Sequence, residues 1–192
     1  MVTLTYILAG ILLLPVFHDG TDAGIFAGLL HPFLGLDHLL AMVAVGLLSA
    51  QMGGRAIWTV PATFVGVMAV GGGLGLIDIG LPGVEYGIVL SVVILGAALA
   101  AQRDLPAKGA MAFVGFFALF HGYAHGLELP SQSDTTQEIF IYVFGFLVAT
   151  ATLHLIGALI GQLATSSARG NNILRLSGAT IAIVGVFLLF NI

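Results

Sequence analysis

Cysteine is absent from this 192-residue chain, and that omission removes disulfides, iron–sulfur clusters and thiolate sites for soft metals such as Cu(I). Any metal chemistry must rest on His, Asp, Glu or backbone oxygen. Cations are almost as scarce. Five Lys and Arg stand against nine Asp and Glu, a formal charge of −4, which leaves no basic patch to hold nucleic acid phosphates. Charged residues make up only 7% of the chain, where a soluble domain carries about 25%. That is too little polar material to cover a water-facing surface. The Gly-x-x-x-x-Gly-Lys-Ser/Thr pattern of an ATP-binding loop is also missing, so the chain has no recognisable ATP motor of its own.

What the chain does have is apolar. Hydrophobic residues account for 59% and the mean hydropathy is +1.12. The runs are Val2 to Phe17, Gly24 to Ala50, Ala56 to Ile77, Tyr86 to Ala101, Gly109 to Leu127, Ile139 to Ala164 and Ile173 to Phe190. Most approach or exceed the roughly 20 residues an α-helix needs to cross about 30 Å of hydrocarbon, and period-2 alternation is lacking. The expected fold is an all-α integral membrane protein with six core transmembrane helices and an N-terminal seventh. Its 27 glycines fit close helix packing in a bilayer. Residues 1–17 read as a signal-like or N-terminal transmembrane segment, because the run is short but has no basic flank and no small-x-small cleavage site before His18. Residues 18–192 read as a single membrane-embedded unit, joined by short turn-forming breaks.

Orientation follows from the few cations. Arg55, Arg103, Lys108, Arg169 and Arg175 all fall in alternate loops on one side, which the positive-inside rule assigns to the cytoplasm. Asp19, Asp22, Asp78, Glu85, Glu128, Asp134 and Glu138 fall on the opposite side, facing outward.

Two clusters carry the chemistry. In His31-Pro32-Phe33-Leu34-Gly35-Leu36-Asp37-His38, the histidines are seven apart and would share a face of a continuous helix, with Asp37 beside it. Pro32 and Gly35 can loosen the helix there and free carbonyls, as membrane helices tolerate where they line a cavity. In Phe120-His121-Gly122-Tyr123-Ala124-His125-Gly126-Leu127-Glu128, His121, His125 and Glu128 project from one stripe, a spacing that can grip a divalent metal. A bare His-x-x-x-His is weak evidence, but ionisable groups inside a bilayer helix are costly and functional by default. Both clusters open to the outer side at similar depth. Glu85 reads equally as a cation-attracting group or a solvated loop acid. His154 lies deeper, either as a station on a transit path or as a histidine hydrogen-bonded between helices near Thr150 or Thr152. Met42, one turn from His38, reads as packing.

The stretches HPFLGLDHLLAMVAVGLLSA and FHGYAHGLELP resemble the signatures of the HupE/UreJ family, as do LPGVEYGIVLSVVILG around Glu85 and ATLHLIGALIG around His154. These are small membrane proteins associated with nickel hydrogenases and ureases and regarded as nickel, sometimes cobalt, permeases. The resemblance runs from about His18 to the C-terminus. It implies a six-helix core in the bacterial inner membrane and metal handling by His31, Asp37, His38, His125 and Glu128, with His121 and Glu85 contributing. It also implies a cleaved signal peptide before a His-containing mature N-terminus, from which this sequence departs, leaving His18 as an accessory position.

The expected function is a secondary permease, not an enzyme. It would take up Ni²⁺, or Co²⁺ or Zn²⁺, through an outward-facing His/carboxylate site, with no permanent cofactor, with the ion and the bilayer as partners and without nucleic acid. The alternative is a membrane metalloenzyme, di-iron or zinc, using the same cluster.

Overall fold

The computed structural model describes residues 20–102, 105–132 and 135–192, in which all regular structure is helical. The helices are α1 (Gly20–Leu34), α2 (Leu36–Met52), α3 (Ala56–Leu76), α4 (Val84–Ala101), α5 (Ala107–Gln132), α6 (Thr136–Thr165) and α7 (Ala168–Leu189). The segment Val2–Phe17 lies outside the described residues, as do His18, Asp19, Arg103 and Asp134.

Helices α3 to α7 are each long and apolar enough to cross a bilayer, and α1 with α2 pass as a pair bent by 81°. Six crossings result if that pair is one span. The chain is thus an integral membrane helical bundle, and its polarity runs opposite to that of a soluble protein. Phe140, Phe144, Leu163, Ile183 and Phe187 stand exposed, while His38, His121, His125, His154, Ser91 and Thr150 are buried. Lipid solvates the first group, and the second must find partners inside the protein.

Helix ends follow local chemistry. Thr135 and Glu138 form a reciprocal capping box at the start of α6, with the Glu138 N–H donating to Thr135 Oγ1 and the Thr135 N–H donating to Glu138 Oε2. Glu138 therefore serves the helix end. Ser167 Oγ accepts from the Gly170 N–H at the start of α7.

Glycine seams set the packing. A Cβ on Gly71, Gly75, Gly122 or Gly126 would strike backbone of the facing helix where α3 meets α5. Gly96 and Gly178 do the same between α4 and α7, and Gly46 and Gly157 between α2 and α6. Small residues let backbones approach where lipid supplies no hydrophobic drive for association. The seams also give direction. Met68 faces Gly122 and Gly75 faces Tyr123 and Gly126, so α3 and α5 run parallel. Gly28 faces Tyr142, Gly46 faces His154 and Ala50 faces Gly161, so α1 and α2 both run with α6. Val93 faces Gly185 while Ala100 faces Gly178, so α4 and α7 are antiparallel. All three relations follow from six alternating crossings.

The sequence-level reading of one helix from Gly24 to Ala50 is corrected at Gly35. That residue is extended (φ −90°, ψ 114°) and caps α2, its carbonyl accepting from the Leu39 N–H at 2.9 Å. Pro32, lacking an N–H, has already deprived the Gly28 carbonyl of its helical partner. The last carbonyls of α1 are left without intrahelical donors, and the bend carries His31 and His38 onto two differently directed helices.

Candidate metal site

His31 approaches from the last turn of α1, Asp37 and His38 from the first turn of α2, and His121, His125 and Glu128 from the C-terminal half of α5. The His31 Nε2 lies 3.2 Å from Glu128 Oε2, and His125 Nδ1 lies 3.9 Å from the same oxygen. One ligand atom from each of these three residues falls within 4.8 Å of the others, close enough to share one metal ion. His31 and His125 meet edge to face, their ring centroids 4.7 Å apart.

The imidazoles continue inward. His125 to His38 is 4.4 Å between centroids and His38 to His121 is 4.6 Å. The order is therefore His31, His125, His38, His121, a column fed alternately by the broken α1–α2 pair and by α5. His38 and His121 share no face of a common helix, so the bend at Gly35 and the seam geometry bring them together.

Two hydrogen bonds orient the deeper rings. His38 Nδ1 lies 2.9 Å from Asp37 Oδ1, and a carboxylate can only accept, so Nδ1 carries the proton. This leaves the His38 Nε2 lone pair buried without a hydrogen-bond partner. Asp37 also accepts from the His38 backbone N–H at 2.7 Å. Ser91 Oγ donates to the Ile88 carbonyl at 2.6 Å and lies 2.8 Å from His121 Nε2. Its one proton is committed to the carbonyl, so His121 Nε2 donates to Ser91 and His121 Nδ1 keeps the lone pair. That Nδ1 is likewise buried without a partner. A hydrogen bond on one ring nitrogen that frees the other is how proteins orient histidine ligands.

A cavity of about 380 Å³ opens onto the column, lined by His31, Asp37, His38, His125 and Glu128, by Glu85 from the first turn of α4, and by Leu188 and Asn191 near the end of α7. Glu85 thus shares the cavity without joining the close trio of His31, His125 and Glu128. His154 has no direct ring contact with the column, but packs against Phe64, whose ring also meets His121. The reading of His154 as tied to Thr150 or Thr152 is not what the side chains do: neither ring nitrogen has a hydrogen-bond partner, nor has Thr150 Oγ1, and Thr152 Oγ1 donates to the Val148 carbonyl at 2.7 Å. His18 lies outside the described residues. Ser91 and Phe64 were missed at the sequence level. A single Ser or Phe in an apolar helix gives no signal until the helix across from it is known.

The model of the HupE / UreJ protein family matches residues 6–188. The chain belongs to the HupE/UreJ family. Protein HupE of Rhizobium leguminosarum bv. viciae is 47% identical over 173 residues, covering 90% of this chain and 88% of that protein. No solved structure matches the chain. The family is associated with nickel and cobalt uptake, and every histidine of the column, together with Asp37, Glu85 and Glu128, falls inside the matched span.

Proposed function

We propose that this protein is a secondary permease for a divalent transition metal, Ni²⁺ first among them, and not an enzyme. The observation that carries the reading is the meeting of His31, His125 and Glu128 ligand atoms within 4.8 Å at the head of a buried imidazole column. Imidazole and carboxylate suit borderline divalent ions. One carboxylate among neutral imidazoles neutralises part of the ion's charge and leaves the ion weakly enough held to move on, as conduction requires.

The site opens on the side opposite Arg55, Lys108, Arg169 and Arg175. With those cations in the cytoplasm, the cavity faces the periplasm across the bacterial inner membrane, and Glu85 raises the local cation concentration at its mouth. Asp37 acts mainly through His38, and His121 receives the ion from it. Residues 18–192 work as one permease unit, with His18 accessory at the outer surface. Affinity order alone favours Cu²⁺ over Ni²⁺ at such donors, so selectivity comes from the geometry of the trio and from supply.

Purified protein in proteoliposomes, offered Ni²⁺, Co²⁺, Zn²⁺ and Mn²⁺ separately, tests this. Uptake of Ni²⁺ that is lost in His125→Ala and in Glu128→Gln is the expected result. Uptake of none of the four, with turnover of a lipid or small molecule by metal-loaded protein, would replace the permease with a metalloenzyme. Uptake of Zn²⁺ or Mn²⁺ without Ni²⁺ would keep the permease and change its cargo.

A further inference from the structure

The imidazole column stops at His121, about halfway through the bundle. Beyond it lies Phe64 of α3, fully buried, its ring centroid 5.5 Å from that of His121 and 5.1 Å from that of His154. The phenyl ring thus packs against both imidazoles, the last of the column and the one on α6. The position of His154 is fixed by the α2–α6 seam, where its backbone carbonyl packs against Gly46. Gly46 is eight residues beyond His38, about 12 Å further along α2 at 1.5 Å per residue.

His154 is 1% exposed, yet neither of its ring nitrogens has a hydrogen-bond partner. One turn earlier on α6, Thr150 is 0% exposed and its Oγ1 is also unpartnered. Buried polar groups are almost always satisfied, and each exception asks for a cause. Here three polar atoms at positions i and i+4 of one helix stripe go unmet together, beside an aromatic ring that also touches the end of the imidazole column. Packing alone gives no reason for this. An apolar residue at either position would fill the space without leaving donors and acceptors stranded.

We propose that Thr150 and His154 form a second station for the transported cation, and that the Phe64 ring is the barrier separating it from the outer column. The proposal rests on the permease reading and adds the inner half of the path. A divalent ion stripped of water cannot cross an apolar plug unless ligands wait on the far side, because a bare charge in a low-dielectric interior is prohibitively costly. His154 supplies a neutral nitrogen, Thr150 supplies an oxygen, and the ring between the stations keeps the path closed to water and to protons when no ion is passing.

The chain has no cysteine, so a single introduced thiol reports on access. Thr150→Cys in proteoliposomes of known orientation is treated with a small impermeant thiol reagent from either side. Labelling from the Arg169 side only, slowed by Ni²⁺, is expected, and adding Phe64→Ala should open the same thiol to the outer side. Labelling from the outer side with Phe64 intact would overturn the barrier. Absence of labelling from both sides, or labelling indifferent to Ni²⁺, would overturn the station.

His154→Ala should slow Ni²⁺ uptake about tenfold or more while Ni²⁺ binding to the outer trio, measured by equilibrium dialysis, is retained. An unchanged rate would remove His154 from the path. His154→Gln, which keeps polarity and bulk, should also be slow. Recovery of the parent rate in that variant would mean that the histidine only fills space. Failure of the parent protein to take up any ion would instead sink the permease reading itself, so the two failures are distinct.

Discussion

Asp37 and Ser91 do related jobs by different chemistry, and neither belongs to the close trio of His31, His125 and Glu128. Asp37 holds the proton of His38 on Nδ1, and its charge also offsets the positive end of α2, where it sits in the first turn. An amide of the same shape keeps the acceptor but loses the charge. Asp37→Asn should therefore lower Ni²⁺ uptake by about 10- to 100-fold, the usual cost of disturbing a carboxylate behind a histidine ligand, with insertion in the membrane intact. Isotope uptake by cells, beside a count of membrane-inserted protein, is the check, and parental uptake would make Asp37 structural. Ser91→Ala removes only a neutral acceptor and frees the His121 ring to turn. Its effect on uptake should be smaller than that of Asp37→Asn and should be largely restored in Ser91→Thr, which returns the hydroxyl. A Ser91→Ala variant more impaired than Asp37→Asn would mean that Ser91 itself touches the ion.

Among the elements, the broken pair α1–α2 matters most, and it was also the least legible. Composition, the length of the apolar runs and the absence of alternation were enough to call the other helices. The run Tyr86 to Ala101 became α4 from Val84 to Ala101, and the run Ile139 to Ala164 became α6 from Thr136 to Thr165. Pro32 and Gly35 announced a weak point in α1–α2, but an 81° bend depends on what the neighbouring helices leave room for, which no local pattern records. The candidate residues were readable because charge and imidazole are rare in lipid-facing helices. Their order in space was not, since it is set by glycine seams between helices distant in sequence. Those seams are testable apart from the metal site. A Cβ on Gly178 would sit 2.5 Å from Ala100 N and 2.7 Å from Gly96 O, both backbone atoms, whereas one on Gly66 would meet nothing within 4 Å. Gly178→Ala should cost about 1–3 kcal/mol as overpacking and lower the unfolding temperature in detergent, while Gly66→Ala should not lower it. Equal unfolding temperatures for the two variants would refute the seam.

At the scale of the whole molecule, six alternating crossings put the bend of α1–α2, the start of α4, the end of α5 and the end of α7 at one end, where the cavity opens, and every described Lys or Arg toward the other. Under the proposed uptake through that end, pH on that face sets the state of the histidines that would hold the ion. An imidazole binds metal only through a lone pair, and protonation removes it. The sign follows directly: an imidazole free of its proton can hold the ion, and acidification takes that lone pair away. With the interior held near neutral, initial Ni²⁺ uptake into outside-out proteoliposomes should fall as external pH is stepped from about 8 to about 5.5. Acidifying the interior alone should leave the initial rate unchanged, because the outer trio does not face it. If the flux is coupled to inward proton movement, the gradient opposes this fall, and collapsing it with a protonophore restores the drop. A profile flat across the range with the protonophore present would mean that the histidines do not compete with protons for the ion, and this prediction would fail.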